Sequence, residues 1–249
     1  MCSIGWLRLK DTWYFFKNRD LTPGDPLTKT NIFFQDNDVA GLANKKFTGM
    51  STGLNKYGIA IMANAGPENI APLGKLTTSR VIGEKVLRSC KTLKSAKEKY
   101  KELAKDLGYN YNVIIADSKH AYSLEITADG VKEERSDKYI ARTNHFVNLT
   151  KYNDKHEFTV RSKLRFKKII ALIKKARSSE DMIAVLKFHS SNNDMENVCN
   201  HAQGKQIWSQ TCASVLFEVK GKKVTAYYVL NKYPCKARYI KKQVKFKVK

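Results

Sequence analysis

Long apolar runs are missing from this sequence. No stretch approaches the roughly 20 residues that a membrane helix needs. The first segment interrupts its apolar residues with Arg8, Lys10 and Asp11, unlike the apolar core of a secretory signal. A cytoplasmic protein is the expectation. Proline is scarce, with five in 249 residues, while hydrophobic residues reach 42%. Both values argue against disorder and for a chain able to bury a sizeable core. Gly/Ser-rich linkers and internal repeats are absent too. One domain over 1–249 is expected, with a basic strand or tail at 236–249. The five cysteines, Cys2, Cys90, Cys199, Cys212 and Cys235, are odd in number and scattered. They are no disulfide framework and suit a reducing compartment.

Acidic residues are the other shortage. Lys and Arg number 46 against 23 Asp and Glu, a formal net charge of +23. Such a surplus attracts nucleic acid or anionic surfaces. Yet no RNA-binding aromatic motif and no zinc-finger spacing accompany it, so nucleic-acid binding is the lesser reading and a lysine-rich solvated surface the simpler one. Near the end Val244, Phe246 and Val248 alternate with Lys245 and Lys247. That is the pattern of a half-buried edge strand, and edge lysines also deter edge-to-edge pairing.

What is present reads as strands and paired helices. Strands are expected at 2–9 and 12–17, then a loop over 20–45 punctuated by Pro23, Gly24, Asp25 and Pro26, then a buried strand at 56–64. A helix follows from Ser79 to Cys90. A second opens at the capping-box pattern Ser95-x-x-Glu98 and ends at Gly108. Strands at 111–117, 121–127 and 131–135 come next. A basic amphipathic helix is expected over 161–177, and Ser178-x-x-Asp181 opens another short helix. Two strands, 214–219 and 224–230, are joined by a KGKK turn. Helices that come in pairs between strand groups disfavour a doubly wound parallel sheet. They favour antiparallel sheets with helices packed outside.

The chemistry starts at Cys2, directly behind the initiator methionine. A small second residue permits removal of Met1, which leaves a cysteine with its own free α-amine. That amine has a pKa of about 7.7–8.0 and can take the thiol proton itself. Asp20, in KNRD (17–20), could accept from that amine if the first two strands pair; otherwise the segment is a surface turn. Asn64 ends a strand before Ala65-Gly66-Pro67. It could aim its amide at a developing oxyanion or merely make an Asn/Gly turn. RTNHF (142–146) adds Asn144 and His145; a self-sufficient N-terminal cysteine needs no histidine, so His145 reads as structural. His189, Cys199, His201 and Cys212 match no common zinc spacing, and no metal is expected.

In order along the chain, these pieces resemble the N-terminal-nucleophile (Ntn) hydrolases of the choloylglycine hydrolase and penicillin V acylase group. They resemble more closely the acyl-coenzyme A:6-aminopenicillanic acid acyltransferase-like family. The likeness is carried by Cys2, by Lys17-Asn18-Arg19-Asp20 as x-Asn-x-Asp, and by Gly53-Leu54-Asn55-Lys56-Tyr57-Gly58 as G-x-N-x-x-G. It continues through Asn64 with Gly66, IIADSKHAYSLEIT (114–127), TNHF (143–146), and a helix with Ser162 and Arg165. HSSNNDMENVCNH (189–201), TCASVLFEV (211–219) and Tyr233-Pro234-Cys235 complete it.

The resemblance implies an α+β, four-layer αββα sandwich of two face-to-face antiparallel sheets with outer helices. It implies Cys2 as nucleophile and its α-amine as base, with Asp20 orienting that amine. Asn144 would contact the amine or the oxyanion, Asn64 would help form the oxyanion hole, and Arg165 would position the site. Many relatives have arginine at the first position of x-Asn-x-Asp, where this chain has Lys17 and an arginine two residues on. Either Lys17 supplies the charge near the thiolate or Arg19 reaches in; the two side chains are not interchangeable, but either cation lowers a thiol pKa. Some relatives cut themselves internally to expose the cysteine, whereas here an aminopeptidase suffices. The implied activity is hydrolysis or acyl transfer on a linear, non-peptide or short-peptide amide through a thioester, with a small-molecule partner and no cofactor. Loops at 20–45 and 66–77 would shape the pocket. Two rivals use the same fold: a catalytically inactive basic binding protein, and a purine-ring enzyme of the archaeal cyclohydrolase-like kind, for which no phosphate-binding motif is present.

Overall fold

A computed structural model describes residues 2–45, 47–67, 78–105, 107, 110–190, 194–201 and 209–246. It contains two sheets. The first joins β1 (Ser3–Arg8), β2 (Thr12–Leu21), β10 (Tyr139–Arg142), β11 (Gln210–Lys220), β12 (Lys223–Leu230) and β13 (Ile240–Val244) in the order β10-β1-β2-β11-β12-β13. The second is a meander of β3 (Asn31–Gln35), β4 (Val39–Asn44), β5 (Phe47–Asn55), β6 (Ala60–Ala65), β7 (Tyr111–Ala116), β8 (Ala121–Thr127) and β9 (Gly130–Ser136). Every pairing in both sheets is antiparallel.

Strand alternation explains how the layers stack. In β2, Trp13 and Phe15 face the other sheet, and Tyr14 and Phe16 face helices. Both faces are buried, so TWYFF reads as one apolar run rather than an alternating one. The inter-sheet core joins Ile4, Trp6, Phe15, Val215 and Phe217 of the first sheet to Leu42, Leu54, Met62 and Ile114 of the second. Phe15 and Phe217 stack with ring centroids 4.4 Å apart. The outer face of the second sheet buries Ile61, Val113 and Ile115 against Ile82, Val86, Ala96 and Tyr100 of α1 (Ser79–Ser89) and α2 (Leu93–Ala104). The outer face of the first buries Phe16 and Leu216 against Ile169, Ile173, Met182 and Leu186 of α3 (Glu157–Ile173) and α4 (Ser179–Lys187). The result is the expected four-layer αββα sandwich.

Five sequence expectations are corrected. The segment 20–45 is not a loop but carries β3 and β4. Their Gly, Ala and Asn residues have little intrinsic strand preference, and pairing along the meander supplies what propensity does not. At Gly41 an added Cβ would lie 2.2 Å from the Thr52 carbonyl on β5, so that pairing depends on the missing side chain. KNRD is no surface turn: it lies inside β2 with all four residues buried. The cap of α2 is Thr92, with Ser95 at the third helical position; each residue's side-chain oxygen accepts the other's backbone N–H. The basic helix begins at Glu157 and ends at Ile173, so both bounds lie about four residues earlier than expected. The terminal strand also comes earlier, at Ile240–Val244; Phe246 packs on the inter-sheet core beyond it, and Val248 lies outside the described residues. Gly108 and positions 68–77 also lie outside the described residues.

The G-x-N-x-x-G block is a tether. The Asn55 side chain accepts the N–H groups of Tyr57 and Ile59 and donates to the carbonyls of Leu87 and Cys90. It closes the β5–β6 turn and fixes that turn to the end of α1, while Gly58 takes φ +80, the region glycine tolerates best.

Candidate active site

The site forms where β1 begins. β1 pairs with β2 so that Ser3 lies opposite Asn18, which carries Asp20 alongside Cys2. The Asp20 N–H points to Cys2 Sγ at 3.4 Å, and the thiol faces the Asp20 carbonyl oxygen at 3.6 Å. Cys2 is half-buried. Two other thiols are sealed in, and burial pushes both up, that of Cys212 to about 11.

Alternation along β2 sorts KNRD into two pairs. Lys17 and Arg19 take the inter-sheet side. The Lys17 ammonium donates to the Ala63 carbonyl on β6, and the Arg19 guanidinium donates to Asn31 Oδ1 at 2.7 Å. Burial holds Lys17 down, to about 8; Cys2 and Asp20 oppose the shift, and Arg19 and Arg80 add to it. Burial lowers Arg19 as well. Asn18 and Asp20 take the helix side. Asn18 donates to the carbonyls of Leu186 and Val198, both at 2.9 Å, and so ties β2 to α4.

Asp20 is bound by residues to which the sequence assigned no role. Thr211 donates its hydroxyl to Oδ1 at 2.7 Å, and the Asn200 amide donates to Oδ2 at 2.5 Å. A bulge aligns Thr211: on β11, Thr211 pairs with Asp20 and Ala213 with Arg19, leaving Cys212 extra. Bulges re-aim side chains in this way beside functional sites. Both residues stand in blocks quoted for the family likeness. Their relation to Asp20 depends on strand register, which the sequence pattern does not give.

The loop after β10 brings the remaining groups. Asn144 donates its amide to the Ala65 carbonyl at 2.8 Å, and its Oδ1 accepts from Arg165 at 3.0 Å. Asn64 donates to the Thr143 carbonyl at 3.1 Å and to the Cys2 carbonyl at 3.4 Å. Arg165 is 1% exposed, points Nη2 at the Cys2 carbonyl at 3.5 Å, and places Nη1 4.0 Å from Asp20 Oδ2. Burial pulls its guanidinium down, with Asp20 and Cys2 opposing. Ser162, one turn earlier on α3, accepts the N–H groups of both Asn144 and His145 and so anchors the loop. The His145 ring contacts Thr143 Oγ1 and Ser162 Oγ. Burial lowers it to about 4, a neutral ring built into the loop. Among the described residues, then, Cys2, Lys17, Asp20, Asn64, Asn144 and Arg165 converge, while Arg19 turns to Asn31 on β3.

Beside Thr211 a cleft of about 380 Å³ is lined by Thr28, Lys29, Cys212, Asn231, Lys232 and Lys236, among others. Three lysines and no acid among these give it a positive lining.

Two facing antiparallel sheets between helix pairs, with the first strand interior to its sheet, are the fold of the Ntn hydrolases. Three solved structures share it. The C2A variant of conjugated bile acid hydrolase from Clostridium perfringens is 13% identical with a TM-score of 0.60, over 99% of this chain and 97% of its own. The Caenorhabditis elegans ortholog of N-acylethanolamine-hydrolyzing acid amidase is 15% identical with a TM-score of 0.57, over 86% of this chain and 91% of its own. Penicillin V acylase from Agrobacterium tumefaciens is 10% identical with a TM-score of 0.52, over 92% of this chain and 82% of its own. Within that fold class the chain belongs to the acyl-coenzyme A:6-aminopenicillanic acid acyl-transferase family, whose model matches residues 6–232. No curated protein matches the sequence. No helix among the described residues is long and apolar enough to cross a membrane.

Proposed function

We propose that the chain is an amide hydrolase or acyltransferase with Cys2 as its nucleophile. The observation that carries this reading is the convergence on Cys2: Asp20 beside its sulfur, and Asn64 and Arg165 both donating to its carbonyl. Removal of Met1 gives Cys2 a free α-amine, which takes the thiol proton. The thiolate attacks the carbonyl carbon of a linear amide, and the carbonyl π pair moves onto oxygen. On substrate binding the Asn64 amide gives up its 3.4 Å contact with the Cys2 carbonyl and, with a backbone N–H, holds that oxyanion; one such donor is worth about 2.7–4 kcal/mol of barrier. The C–N bond then breaks, the leaving amine takes the proton from the α-ammonium, and a thioester remains. Water releases the acyl group as an acid, or a second amine takes it as a new amide.

Lys17 fills the place where relatives carry arginine. Its ammonium, held between the sheets near the thiol, favours the thiolate. Asp20 orients the α-amine, and Arg165 positions Asn144 and Cys2. The lysines of the adjacent cleft favour a substrate with an anionic group. The test is the intact mass of the purified protein before and after brief exposure to an acyl-like cysteine electrophile, with peptide mapping. Loss of Met1 and selective labelling of Cys2 are expected. Retained Met1, or labelling no faster at Cys2 than at the other cysteines, overturns the reading.

A second reading rests on a separate groove of about 570 Å³ lined by Arg8, Lys10, Lys138, Lys174 and Arg177. There the scaffold would bind a polyanion without catalysis. Affinity for nucleic acid that falls steeply with salt, in a protein with an unreactive Cys2, would favour it.

A further inference from the structure

Cys199, His201 and Cys235 come together although 34 residues separate the last two. Their donor atoms all lie within 4.8 Å of one another. His201 Nε2 is 2.9 Å from Cys235 Sγ and 3.8 Å from Cys199 Sγ. Zinc bonds of about 2.3 Å to sulfur and 2.0–2.1 Å to nitrogen give donor separations of about 3.5–3.8 Å in a tetrahedron, and the observed distances bracket that value. The imidazole is clamped. Its ring stacks between His189, 4.3 Å away, and Tyr233, 4.2 Å away, which aims Nε2 at the two sulfurs. His189 in turn lies 3.3 Å from the Cys199 carbonyl through Nδ1. Cys199 is fully buried, while His201 and Cys235 are partly exposed, so a cation can enter from the solvent side. The sequence spacing grouped Cys212 with these residues. The fold instead sends Cys212 to Arg19 and Asn31 and brings Cys235 in its place.

The geometry points to a zinc site formed by Cys199 Sγ, His201 Nε2 and Cys235 Sγ. Binding releases two thiol protons to solvent, so two thiolates neutralise the dication and the buried group carries no net charge. Two sulfurs and an imidazole suit zinc and disfavour magnesium or calcium, which take oxygen ligands. Three protein donors leave a fourth position for a water or another small ligand. The site has a structural consequence for its neighbour. Asn200 lies between two of the ligands and donates to Asp20 Oδ2. A cation joining residues 199–201 to the Tyr233–Cys235 turn would hold Asn200 against the carboxylate. The inference stands apart from the role of Cys2, because it concerns different cysteines.

The test titrates metal-free, reduced protein with Co²⁺ and then Zn²⁺. A Cys2→Ala background is used, since an N-terminal cysteine offers a thiol and an amine that chelate metal themselves. One cobalt per chain is expected, with a near-ultraviolet thiolate-to-cobalt charge-transfer band and the visible bands of a tetrahedral ion, bleached by one equivalent of Zn²⁺. In the same background Cys235→Ser should weaken cobalt binding by about 100-fold or more, the upper end of what even an outer-shell change costs, whereas Cys212→Ser should leave it unchanged. Should Cys235→Ser fail to fold, alkylation of the Cys2→Ala protein decides: Zn²⁺ should protect the partly exposed Cys235, and labelling of Cys235 unchanged by Zn²⁺ overturns the proposal. Absence of the charge-transfer band, equal binding by the Cys235→Ser protein, or a Cys199–Cys235 disulfide in protein isolated under reducing conditions overturns the proposal.

Discussion

Thr211 and Asp20 face each other across the β2–β11 pair, hydroxyl to carboxylate at 2.7 Å, because the bulge at Cys212 turns Thr211 toward the helix side of the sheet. Thr211 is fully buried, so its hydroxyl has no water to replace the contact. Thr211→Val keeps the shape and leaves Asp20 Oδ1 short of a donor. A cost of about 1–3 kcal/mol in stability is expected, read as a lower Tm, together with a fall in the rate of Cys2 labelling. Thr211→Ser should restore most of both. Unchanged labelling in Thr211→Val would separate this contact from the function of the site.

Arg165 provides a sharper test of positioning. It is buried, and its fork reaches Asn144, the Cys2 carbonyl and, at 4.0 Å, Asp20. Arg165→Leu removes a buried cation 4.0 Å from the Asp20 carboxylate, and breaking a buried pair typically costs about 3–5 kcal/mol. Arg165→Lys keeps the charge and loses the fork. It should fold with a modest Tm loss and a larger loss in kcat than in KM. Equal folding and equal kcat in Arg165→Lys would mean that charge alone matters.

Lys17 makes stability depend on alkaline pH. Its folded pKa of about 8 lies below the ordinary value of 10.5. Below the folded value both states carry the proton, and the folded state bears the full cost of burying a charge. Between the two values the unfolded chain holds more protons, so stability rises with pH, by about 3 kcal/mol from this group alone. Lys17→Met should flatten that rise. Denaturant midpoints of both proteins from pH 7 to 10.5 check it, and parallel slopes would refute it.

His145 acts at the other end of the scale. Its folded pKa of about 4 lies below the ordinary 6.5. Its contribution is complete above pH 6.5 and is lost as pH falls toward 4, because the unfolded chain takes up the proton first. His145→Asn removes the titration. The variant should be less stable at neutral pH and lose less further stability between pH 6.5 and 4, a difference visible in acid unfolding followed by circular dichroism.

The sequence made the layers legible where periodicity and composition agree. TWYFF, YNVIIA and SVLFEV are runs that both faces of a sandwich bury, and paired helices between them imply outer layers. VAGLAN stayed illegible because its small and polar residues enter β4 through their neighbours rather than through preference, and the short Ile32-Phe33-Phe34 run of β3 was overshadowed by the Pro/Gly punctuation before it. The site divides the same way. Cys2, Asp20, Asn64, Asn144 and Arg165 stand out as residue types in motifs. Thr211 and Asn200 do not, since their relation to Asp20 is set by a bulge and by a cross-chain contact. The gathering of Cys235 rather than Cys212 with Cys199 has the same origin in long-range packing.

The interior place of β1, held between β10 and β2, bears on how the protein is made. The groups around Cys2 come from positions 20, 64, 144, 165, 200 and 211, and the strand that flanks β2 on its far side begins only at Gln210. A ribosome that has not yet reached residue 200 has therefore released the thiol with Asp20 and Asn64 but without Asn200 and Thr211. Asp20 reaches the cysteine early in synthesis, but distant pairings form slowly, and the two side chains that bind its carboxylate arrive only when β11 is made.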